Sequence, residues 1–378
     1  MPSSIGTALR VTVFGQSHSQ AVGCVIEGLP SGHGIDARRL AAFMARRAPG
    51  HASWSTPRKE ADAIRILSGL NPDGRTCGAP LALIIENTNT RSSDYSMLRD
   101  VPRPSHADWT AQVKWHGEQD FAGGGHFSGR LTAPLCAAGG IALQLLEGHG
   151  VRIAAHILEI AGISDQGFAA LGSSRQASAL ATQMDMLSDG RAFPVLDQDA
   201  GAHMREAIDA AHAQADSVGG CIECVVTGLP AGIGSPMFDG IESTLARAIF
   251  GIPAVKGLEF GMGFGVAKLR GSQDNDPYEI VDGKVRPAKN YAGGNLGGIT
   301  TGAPLLFRMA VKPTSSIGQE QRSVDLTTQR EVPLRVKGRH DPCIVPRAVP
   351  VAEAVAALAV LDSWLAWPPD PPTDARFD

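Results

Sequence analysis

Four short segments of the chain combine glycine, serine, histidine and arginine in a way that packing does not require. Two of them contain His18 and His106 and a third contains Asp341, side chains that can transfer protons. The run of glycines from residue 123 precedes a predicted helix, where backbone N–H groups and the helix dipole favour an anion, and Arg130 adds a charged donor. The segments are 15–18 (GQSH), 103–108 (RPSHAD), 123–132 (GGGHFSGRLT) and 338–343 (GRHDPC).

A fifth segment, residues 312–316 (KPTSS), follows a predicted strand and offers one cation and three hydroxyl groups, which also fits a phosphate. The chain has neither a P-loop nor a strand-borne dinucleotide fingerprint, which disfavours an ordinary NTPase or Rossmann enzyme. Each segment taken alone is typical of a solvated turn. Their coincidence indicates a site for a phosphorylated small molecule, with or without a phosphorylated cofactor.

The charge balance gives no general attraction for polyanions. The 378 residues carry 34 Lys and Arg against 38 Asp and Glu, a net charge of −4, so we expect no nucleic-acid partner and no binding to an anionic membrane surface. Apolar runs are shorter than the roughly 18 residues of a membrane span, and the first residues lack the pattern of a signal peptide. We expect a cytoplasmic protein with a locally basic site.

Cys221 and Cys224 form a C-x-x-C pattern, which occurs in redox centres and in halves of zinc sites. The surrounding residues are strand-like, and residues three apart on a strand point to opposite faces. We therefore predict buried structural thiols and keep a metal or redox role as the alternative. We predict no metal site elsewhere in the chain.

Two short sequences recur in the chain in the same order, and we call them the echoed sequences. Residues 24–32 (CVIEGLPSG) recur as 224–232 (CVVTGLPAG), and residues 76–81 (TCGAPL) recur in the same order as 300–305 (TTGAPL). The first copy alone carries a titratable group at its turn, because His18 corresponds to valine in the second copy. This asymmetry is what a site on a duplicated frame would produce.

Apolar strands mixed with long helices predict an α+β sandwich. We interpret residues 1–367 as one domain of two pseudo-repeats, about 7–150 and 205–350, followed by a flexible tail at 368–378. Residues 162–201 have weak periodicity, and we expect a surface excursion there. The predicted helices are 37–47, 132–146, 204–215, 240–250 and 351–367, and the predicted strands are 7–14, 22–27, 82–86, 222–227 and 305–311.

At these segments the chain resembles the chorismate synthase family. The resemblance runs from about residue 15 to residue 354 and covers GQSH, ARRAPG, IIENTNTRSSDYS, RPSHAD, GGGHFSGRLTA, DSVGG, GLPAGIGSP, IPAVKGLEFGMGF, AGGNLGGIT, KPTSSI and GRHDPCIVPRAVP. It implies an α+β sandwich assembled as a homotetramer. It also implies a lyase of the shikimate pathway, in aromatic amino acid biosynthesis. In the implied reaction, 5-enolpyruvylshikimate 3-phosphate loses phosphate and a C6 hydrogen to give chorismate, with reduced FMN and no net redox change.

The resemblance also implies roles for individual residues. It places His18 by the leaving phosphate, His106 by the flavin and Asp341 by flavin N5. NADPH is implied only if the chain also reduces FMN, as bifunctional members do. The FMN contacts carried over by position are His126, Phe127, Ser128, Ala254, Gly297, Lys312, Pro313, Thr314, Ser315, Ser316 and Arg339, and the substrate contacts are Ser17, Arg47, Arg103, Arg130 and Arg339.

The chain departs from the family pattern inside its motifs. Ala48, Ser53 and His126 stand where the family usually has arginine, which removes positive charge from the implied pocket. Each lost charged partner commonly costs about 1.5–3 kcal/mol. Further departures are Gln16 for Glu, Ser105 for Gly, Phe127 for Ser and Leu131 for Glu.

Three functions remain open at this point. The favoured one is a working lyase with an altered binding shell, because His18, His106 and Asp341 are all retained. The second is a divergent paralogue that acts on another phosphorylated carbocycle, which the missing arginines would allow. The third is a non-catalytic protein that binds flavin or phosphate.

Overall fold

Two antiparallel sheets enclose a layer of helices in the computed structural model, which describes residues 3–50, 54, 62–88, 98–172, 177–188, 191, 193–281, 283–336 and 340–369. The first sheet has the strand order β1-β2-β3-β5-β4. Side chains alternate along β5, where Leu81, Leu83 and Ile85 are buried against the helices. The strands are β1 (Ser4–Ile5), β2 (Arg10–Gly15), β3 (Ala21–Glu27), β4 (Ile64–Ile66) and β5 (Leu81–Glu86).

The second sheet has the order β7-β6-β8-β15-β10 and is also antiparallel. Its strands are β6 (Arg152–Ile160), β7 (Ile163–Ser164), β8 (Gly220–Thr227), β10 (Val255–Phe260) and β15 (Leu305–Val311). The strands that carry the two echoed sequences, β3 and β8, both hold the central position. In each sheet the strand that follows the Gly-Ala-Pro turn, β5 or β15, lies beside the central one.

Four helices form the layer between the sheets: α1 (Ala37–Arg47), α3 (Thr132–Glu147), α6 (Ile241–Ile249) and α8 (Val345–Ala366). Helices α3 and α8 pack so closely that a Cβ on Gly139 would lie 2.4 Å from the Ala354 Cα. Helix α3 contacts β3 and β5, whereas α8 contacts β6 and β8. Gly129–Gly148 and Val345–Ala366 have the length and apolar composition of membrane spans, but both are mostly buried in this layer, as core helices are.

The echoed turns make the same hydrogen bonds. The Thr76 hydroxyl donates to the Pro30 carbonyl at 2.6 Å and accepts from the His33 amide at 3.0 Å. Thr300 makes the corresponding bonds in the second turn, to the proline carbonyl at 2.7 Å and from the amide three positions later at 2.9 Å. This agreement supports our proposal that the two halves are repeats of one another.

The remaining elements lie around this sandwich. The segment 162–201 was predicted to be a surface excursion, but it packs on the second sheet. Its buried side chains contact the face of that sheet that points away from the helices; they are Phe168, Leu180, Met184 and Leu196. The other strands are β9 (Ala231–Gly234), β11 (Tyr278–Val281), β12 (Lys284–Pro287), β13 (Asn295–Leu296), β14 (Ile299–Thr301), β16 (Gln321–Asp325) and β17 (Arg330–Leu334). The other helices are α2 (Asp108–Trp115), α4 (Ala177–Ser188), α5 (Gln198–Ala213) and α7 (Gly271–Asp274).

The structure confirms the α+β class and moves some element boundaries. Helix α8 begins at Val345 rather than at 351, because Pro346 lies in the first turn, where no backbone donor is needed. Strand β2 begins at Arg10 rather than at 7. The backbone N–H groups of residues 7–9 instead donate to the Asp362 carboxylate of α8 at 2.8–3.0 Å. Of the predicted tail, residues 370–378 lie outside the described residues.

Candidate active site

One cavity of about 930 Å³ brings most of the predicted segments together. Its walls include parts of residues 103–107, 123–132, 247–255, 312–316 and 340–348, together with one face of α8. Pockets for small molecules usually measure about 300–1,000 Å³. The cavity is therefore large enough for a phosphorylated metabolite beside an aromatic cofactor.

The glycine run at residues 123–125 lies against both predicted catalytic histidines. Its three φ angles, 61°, 86° and 52°, lie in the left-handed region that favours glycine. A Cβ on Gly123 would lie 2.2 Å from the Cε1 and Nδ1 atoms of His18, and one on Gly124 would lie 3.2 Å from His106 Nε2. The Ser17 amide also donates to the Gly125 carbonyl at 3.0 Å. Side chains at these positions would displace the imidazoles.

Asp108, the first residue of α2, fixes the orientation of His106. Its carboxylate accepts from His106 Nδ1 at 2.6 Å and from Nε and Nη2 of Arg103, both at 2.8 Å. Arg103 also donates to the Ser316 hydroxyl at 3.1 Å. Segments 103–108 and 312–316 therefore form one connected wall.

The charges of this network decide where the histidine proton lies. Burial raises the pKa of Asp108, but hydrogen bonds from Arg103 and His106 outweigh burial and hold that pKa well below its usual range. The carboxylate can only accept, so the His106 proton is on Nδ1 and Nε2 is left facing the glycine run. Arg103 Nη2 lies 3.1 Å from His106 Nδ1. These two donors lie so close because both of them bind the Asp108 carboxylate.

Residues 312–316 form a compact loop of donors. Lys312 Nζ donates to the Ser315 hydroxyl at 2.6 Å, and that hydroxyl donates to the Ser105 carbonyl at 2.9 Å. Burial, and then the charge of Lys256, lower the pKa of Lys312. Thr314 Oγ1 is buried and has no hydrogen-bond partner among the described residues. A buried hydroxyl without a partner is unusual in proteins and is expected where a ligand completes the site.

Two of the predicted substrate arginines share one buried carboxylate. Arg47 contacts Asp62 Oδ2 through Nε at 2.8 Å and Nη2 at 2.7 Å, and Arg130 donates from Nη1 to Asp62 Oδ1. Both arginines line the cavity. Arg47 also donates to the Thr132 hydroxyl at 3.0 Å, so the last residue of α1 is tied to the first residue of α3.

Asp341 lines the cavity from the segment before α8. Its Oδ2 accepts from Arg347 Nη1 at 2.8 Å, and Arg347 Nε donates to the Arg47 carbonyl at 3.0 Å. Arg339, predicted to contact both FMN and substrate, lies outside the described residues. The structure therefore brings Asp341 to the same cavity as His106.

The residues after the glycine run form the opposite wall. His126 Nδ1 lies 3.0 Å from the Gly15 carbonyl and Nε2 lies 2.9 Å from the Ser3 hydroxyl, so this ring ties the first residues of the chain to the cavity. The ring of Phe127 packs on Trp115 with centroids 5.7 Å apart. Ser128, Ala254, Pro313 and Thr314 also line the cavity.

Some predicted residues lie elsewhere. Gly297 lies in the turn between β13 and β14 and is not among the described residues that line the cavity. Ser17 and His18 reach the site from behind the glycine run rather than as part of the lining. Of the positions with missing arginines, Ala48 is buried at the end of α1, and Ser53 lies outside the described residues. Both thiols of the C-x-x-C are free; Cys224 is buried as predicted, whereas Cys221 is only half-buried.

Sequence reasoning missed Asp62 and Asp108. Asp108 carried a signal, since a carboxylate two residues after His106 at the start of a helix suits an orienting partner. Nothing in the local sequence around Asp62 marks it. Its role depends on two arginines that are 15 and 68 residues away in sequence.

Comparisons with known proteins identify the family of the chain. A family model described as chorismate synthase matches residues 9–365. The chorismate synthase of Lancefieldella parvula is 49% identical over 371 residues, which cover 97% of each chain. That of Thermococcus kodakarensis is 44% identical over 95% of this chain and 97% of its own, and that of Korarchaeum cryptofilum is 42% identical over 94% and 96%.

A solved structure gives the same fold. A crystal structure of chorismate synthase matches with a TM-score of 0.74 over 96% of this chain and 93% of its own, at 24% identity. The whole-length relatives favour the lyase over a divergent paralogue or a non-catalytic binding protein. With a family model that spans nearly all of its length, the chain belongs to the chorismate synthase family, the lyases of the shikimate pathway that form chorismate.

Proposed function

We propose that the chain catalyses the 1,4-elimination in which 5-enolpyruvylshikimate 3-phosphate loses phosphate and a C6 hydrogen to give chorismate. The observation that carries the proposal is the glycine run at residues 123–125, whose backbone lies against both His18 and His106. His106 lines a cavity that arginines also line, and His18 lies behind the glycine run, which supports a role for both groups in proton transfer.

Reduced FMN is the proposed cofactor, and the residues present fit it. Lys312 and the hydroxyls of residues 314–316 form a donor set for a phosphate, and Thr314 Oγ1 needs a partner. His126, Phe127, Ser128 and Ala254 complete the proposed contacts. When bound, reduced FMN would supply the electron density that assists departure of the phosphate, with no net redox change. NADPH is required only if the chain itself reduces FMN.

The three ionisable groups divide the proton transfers. His18 is the proposed proton donor to the leaving phosphate, and Asp341 is the proposed base near flavin N5. His106 holds one proton on Nδ1 against Asp108, which leaves Nε2 to exchange a proton with the cofactor side of the cavity. Because Asp108 and Arg103 hold the ring, His106 needs no reorientation before it acts.

The arginines balance the charge of the ligands. At an effective dielectric constant of about 20, two like unit charges about 4 Å apart repel by about 4 kcal/mol. A substrate phosphate, two substrate carboxylates and a cofactor phosphate therefore need a cationic wall. Arg47, Arg103 and Arg130 are the proposed substrate contacts on that wall. Ser17, which lies against Gly123, and Arg339 are proposed by family resemblance.

The departures from the family pattern have local explanations. His126 bridges the Ser3 hydroxyl and the Gly15 carbonyl, a role that a neutral imidazole can fill with one donor and one acceptor. Ser105 has a φ of 57°, which accounts for the family's preference for glycine at this position. We therefore expect weaker binding of the anionic ligands than in a member with all the arginines, and the same chemistry.

We also propose a homotetramer in the cytoplasm. Met237, Phe238 and Phe264 are 75–84% exposed in a single chain. Exposed apolar side chains of this size commonly mark a surface that a partner covers. Light scattering or sedimentation of the purified chain tests the oligomeric state.

The deciding experiment is anaerobic incubation of the protein with reduced FMN and 5-enolpyruvylshikimate 3-phosphate. We expect equal amounts of phosphate and chorismate, with no net consumption of reduced FMN and no product when oxidised FMN replaces it. Absence of both products would contradict the proposal. Phosphate release from a different phosphorylated carbocycle would then support a paralogue.

A further inference from the structure

Asp62 is a buried carboxylate outside every motif discussed above. It precedes β4 with a φ of 47°, a left-handed conformation that aspartate tolerates better than most residues. Its side chain has no exposed surface. An isolated buried carboxylate is strongly unfavourable, so the partners of Asp62 decide what it does.

Those partners come from two different elements. Asp62 Oδ2 accepts from Arg47 at the end of α1, and Asp62 Oδ1 accepts from Arg130 in the short turn before α3. Each carboxylate oxygen thus serves one guanidinium group. Without the carboxylate, two buried cations would lie side by side and repel each other.

The remaining guanidinium nitrogens of the two arginines also donate hydrogen bonds. Arg130 Nε donates to the Asn87 side chain at 2.8 Å and Nη2 to the Glu86 carbonyl at 3.2 Å. Arg47 donates to the hydroxyl of Thr132. Both guanidinium groups are therefore held in one arrangement at the cavity wall, and the three charged groups sum to one positive charge.

We propose that Asp62 is a positioning residue for substrate binding, which holds the guanidinium groups of Arg47 and Arg130 side by side to receive an oxyanion of the substrate. The inference rests on the proposed function, since it assigns both arginines to the phosphorylated, carboxylated substrate. Asp62 does not touch the substrate. It acts by fixing two donors before the ligand arrives, which lowers the entropy lost on binding.

Neutralising Asp62 distinguishes positioning from simple charge. In Asp62→Asn the local charge rises by one unit, so if charge alone mattered the variant would bind an anion more tightly. If position matters, the amide places a donor against a guanidinium group, the two arginines separate, and binding weakens. The two interpretations therefore predict opposite signs.

The test measures binding of 5-enolpyruvylshikimate 3-phosphate to the full-length protein by calorimetry, without flavin, and KM and kcat with reduced FMN. We expect Asp62→Asn to raise Kd and KM by about tenfold or more, the loss typical of one charged hydrogen-bond partner, and to change kcat less. Asp62→Glu keeps the charge one methylene farther out and should recover part of the affinity.

Glu353→Gln is the matched control. Glu353 binds the neighbouring Arg46 through both oxygens at 2.6 and 2.9 Å and is equally buried, but neither residue lines the cavity. We expect it to lower the melting temperature and to leave Kd and KM unchanged.

Four outcomes are distinguishable. Unchanged or tighter binding by Asp62→Asn overturns the inference, and so does an equal loss of affinity in Glu353→Gln. If Asp62→Asn does not fold, the Asp62→Glu variant decides. A measurable affinity that is weaker than that of the folded controls supports positioning, and wild-type affinity contradicts it. A wild-type protein that does not bind this ligand contradicts the proposed function instead.

Discussion

His106 and His156 lie in similar surroundings and differ in what they leave available. His106 uses one ring nitrogen on Asp108 and keeps the other for the cavity. His156, on β6, uses both: Nδ1 lies 3.1 Å from Asp165 and Nε2 lies 3.2 Å from Glu223. The side chain of His106 is 18% exposed, whereas that of His156 is 0% exposed.

The His156 network stabilises the layer that covers the second sheet. Asp165 also accepts from the amides of residues 196 and 197, at 2.6 and 2.8 Å, and Glu223 accepts from the Phe168 amide at 2.5 Å. Arg308 donates to Glu223 at 2.8 Å. A histidine that is paired with a carboxylate can take part in catalysis when its second ring nitrogen faces a cavity. When carboxylates bind both ring nitrogens, the histidine contributes to stability instead.

Removing His106 should have the largest effect. A general acid or base typically contributes about 10²–10⁴-fold to turnover, so we expect His106→Ala to lower kcat by at least about a hundredfold. The melting temperature should change little. The control is His203→Ala, on the exposed side of α5, with wild-type kinetics. Near-wild-type turnover of His106→Ala would remove its assigned role.

Removing Glu223 should have the converse effect. Glu223→Gln leaves Arg308 and His156 without their carboxylate partner, and breaking a buried ion pair in this way costs about 3 kcal/mol or more. We expect a lower free energy of unfolding in urea and an unchanged KM. Glu259→Gln, a partly exposed partner of the same arginine, should cost less. A large rise in KM would contradict a purely stabilising role for the His156 network.

The two histidines also differ in how pH affects them. Burial lowers the pKa of His156, but its hydrogen bonds to the carboxylates of Asp165 and Glu223 outweigh burial, so the folded-state pKa is raised above the ordinary value of 6.5. The charged groups that face the ring are Asp165, Glu223 and, beyond Glu223, Arg308.

A raised folded-state pKa fixes the direction of the pH effect. The stabilisation is complete below about pH 6.5 and is lost as the pH rises through the folded-state pKa, by at most about 1.4 kcal/mol per pH unit. Melting temperatures of the wild type and of His156→Asn between pH 6 and pH 9 check this. The variant should be less stable and lose less on the alkaline side, whereas equal slopes would contradict the assignment.

The smallest effect is expected at the edge of the same layer. Arg152 pairs with Asp185 at 2.5 Å, but the two side chains are 45% and 65% exposed. Exposed pairs contribute about 0–1 kcal/mol, so Arg152→Ala should shift urea unfolding by no more than this. A loss as large as that of Glu223→Gln would show that burial is not what separates these ion pairs.

Much of the fold was predictable because local patterns and tertiary packing agree. Helix α1 has its predicted bounds of 37–47, with Asp36 as an N-cap and Leu40 and Met44 on the buried face. The central strands β3 and β8 were predicted from apolar runs that end in the same turn. Where the local preference opposes the structure, as at Pro350 inside α8, helix packing outweighs it.

The site was predictable to the extent that its residues lie in motifs. His18, His106 and Arg130 come from segments with local signatures; His106 and Arg130 line one cavity, and His18 lies against the glycine run at its wall. Asp62 and the partners of His156 could not be predicted, because pairing across 9 to 68 residues leaves no periodic or spacing signal in a single sequence.

The Asp362 carboxylate accepts hydrogen bonds from the amides of residues 7–9, which lie 353–355 residues away in sequence. During synthesis the chain must therefore wait for α8 before the start of β2 can be fixed, although β2 itself is made first. Contacts this distant are slow to form, and the surface that waits for them is exposed to aggregation. We expect the start of β2 to remain without its Asp362 contacts until residue 362 has left the ribosome.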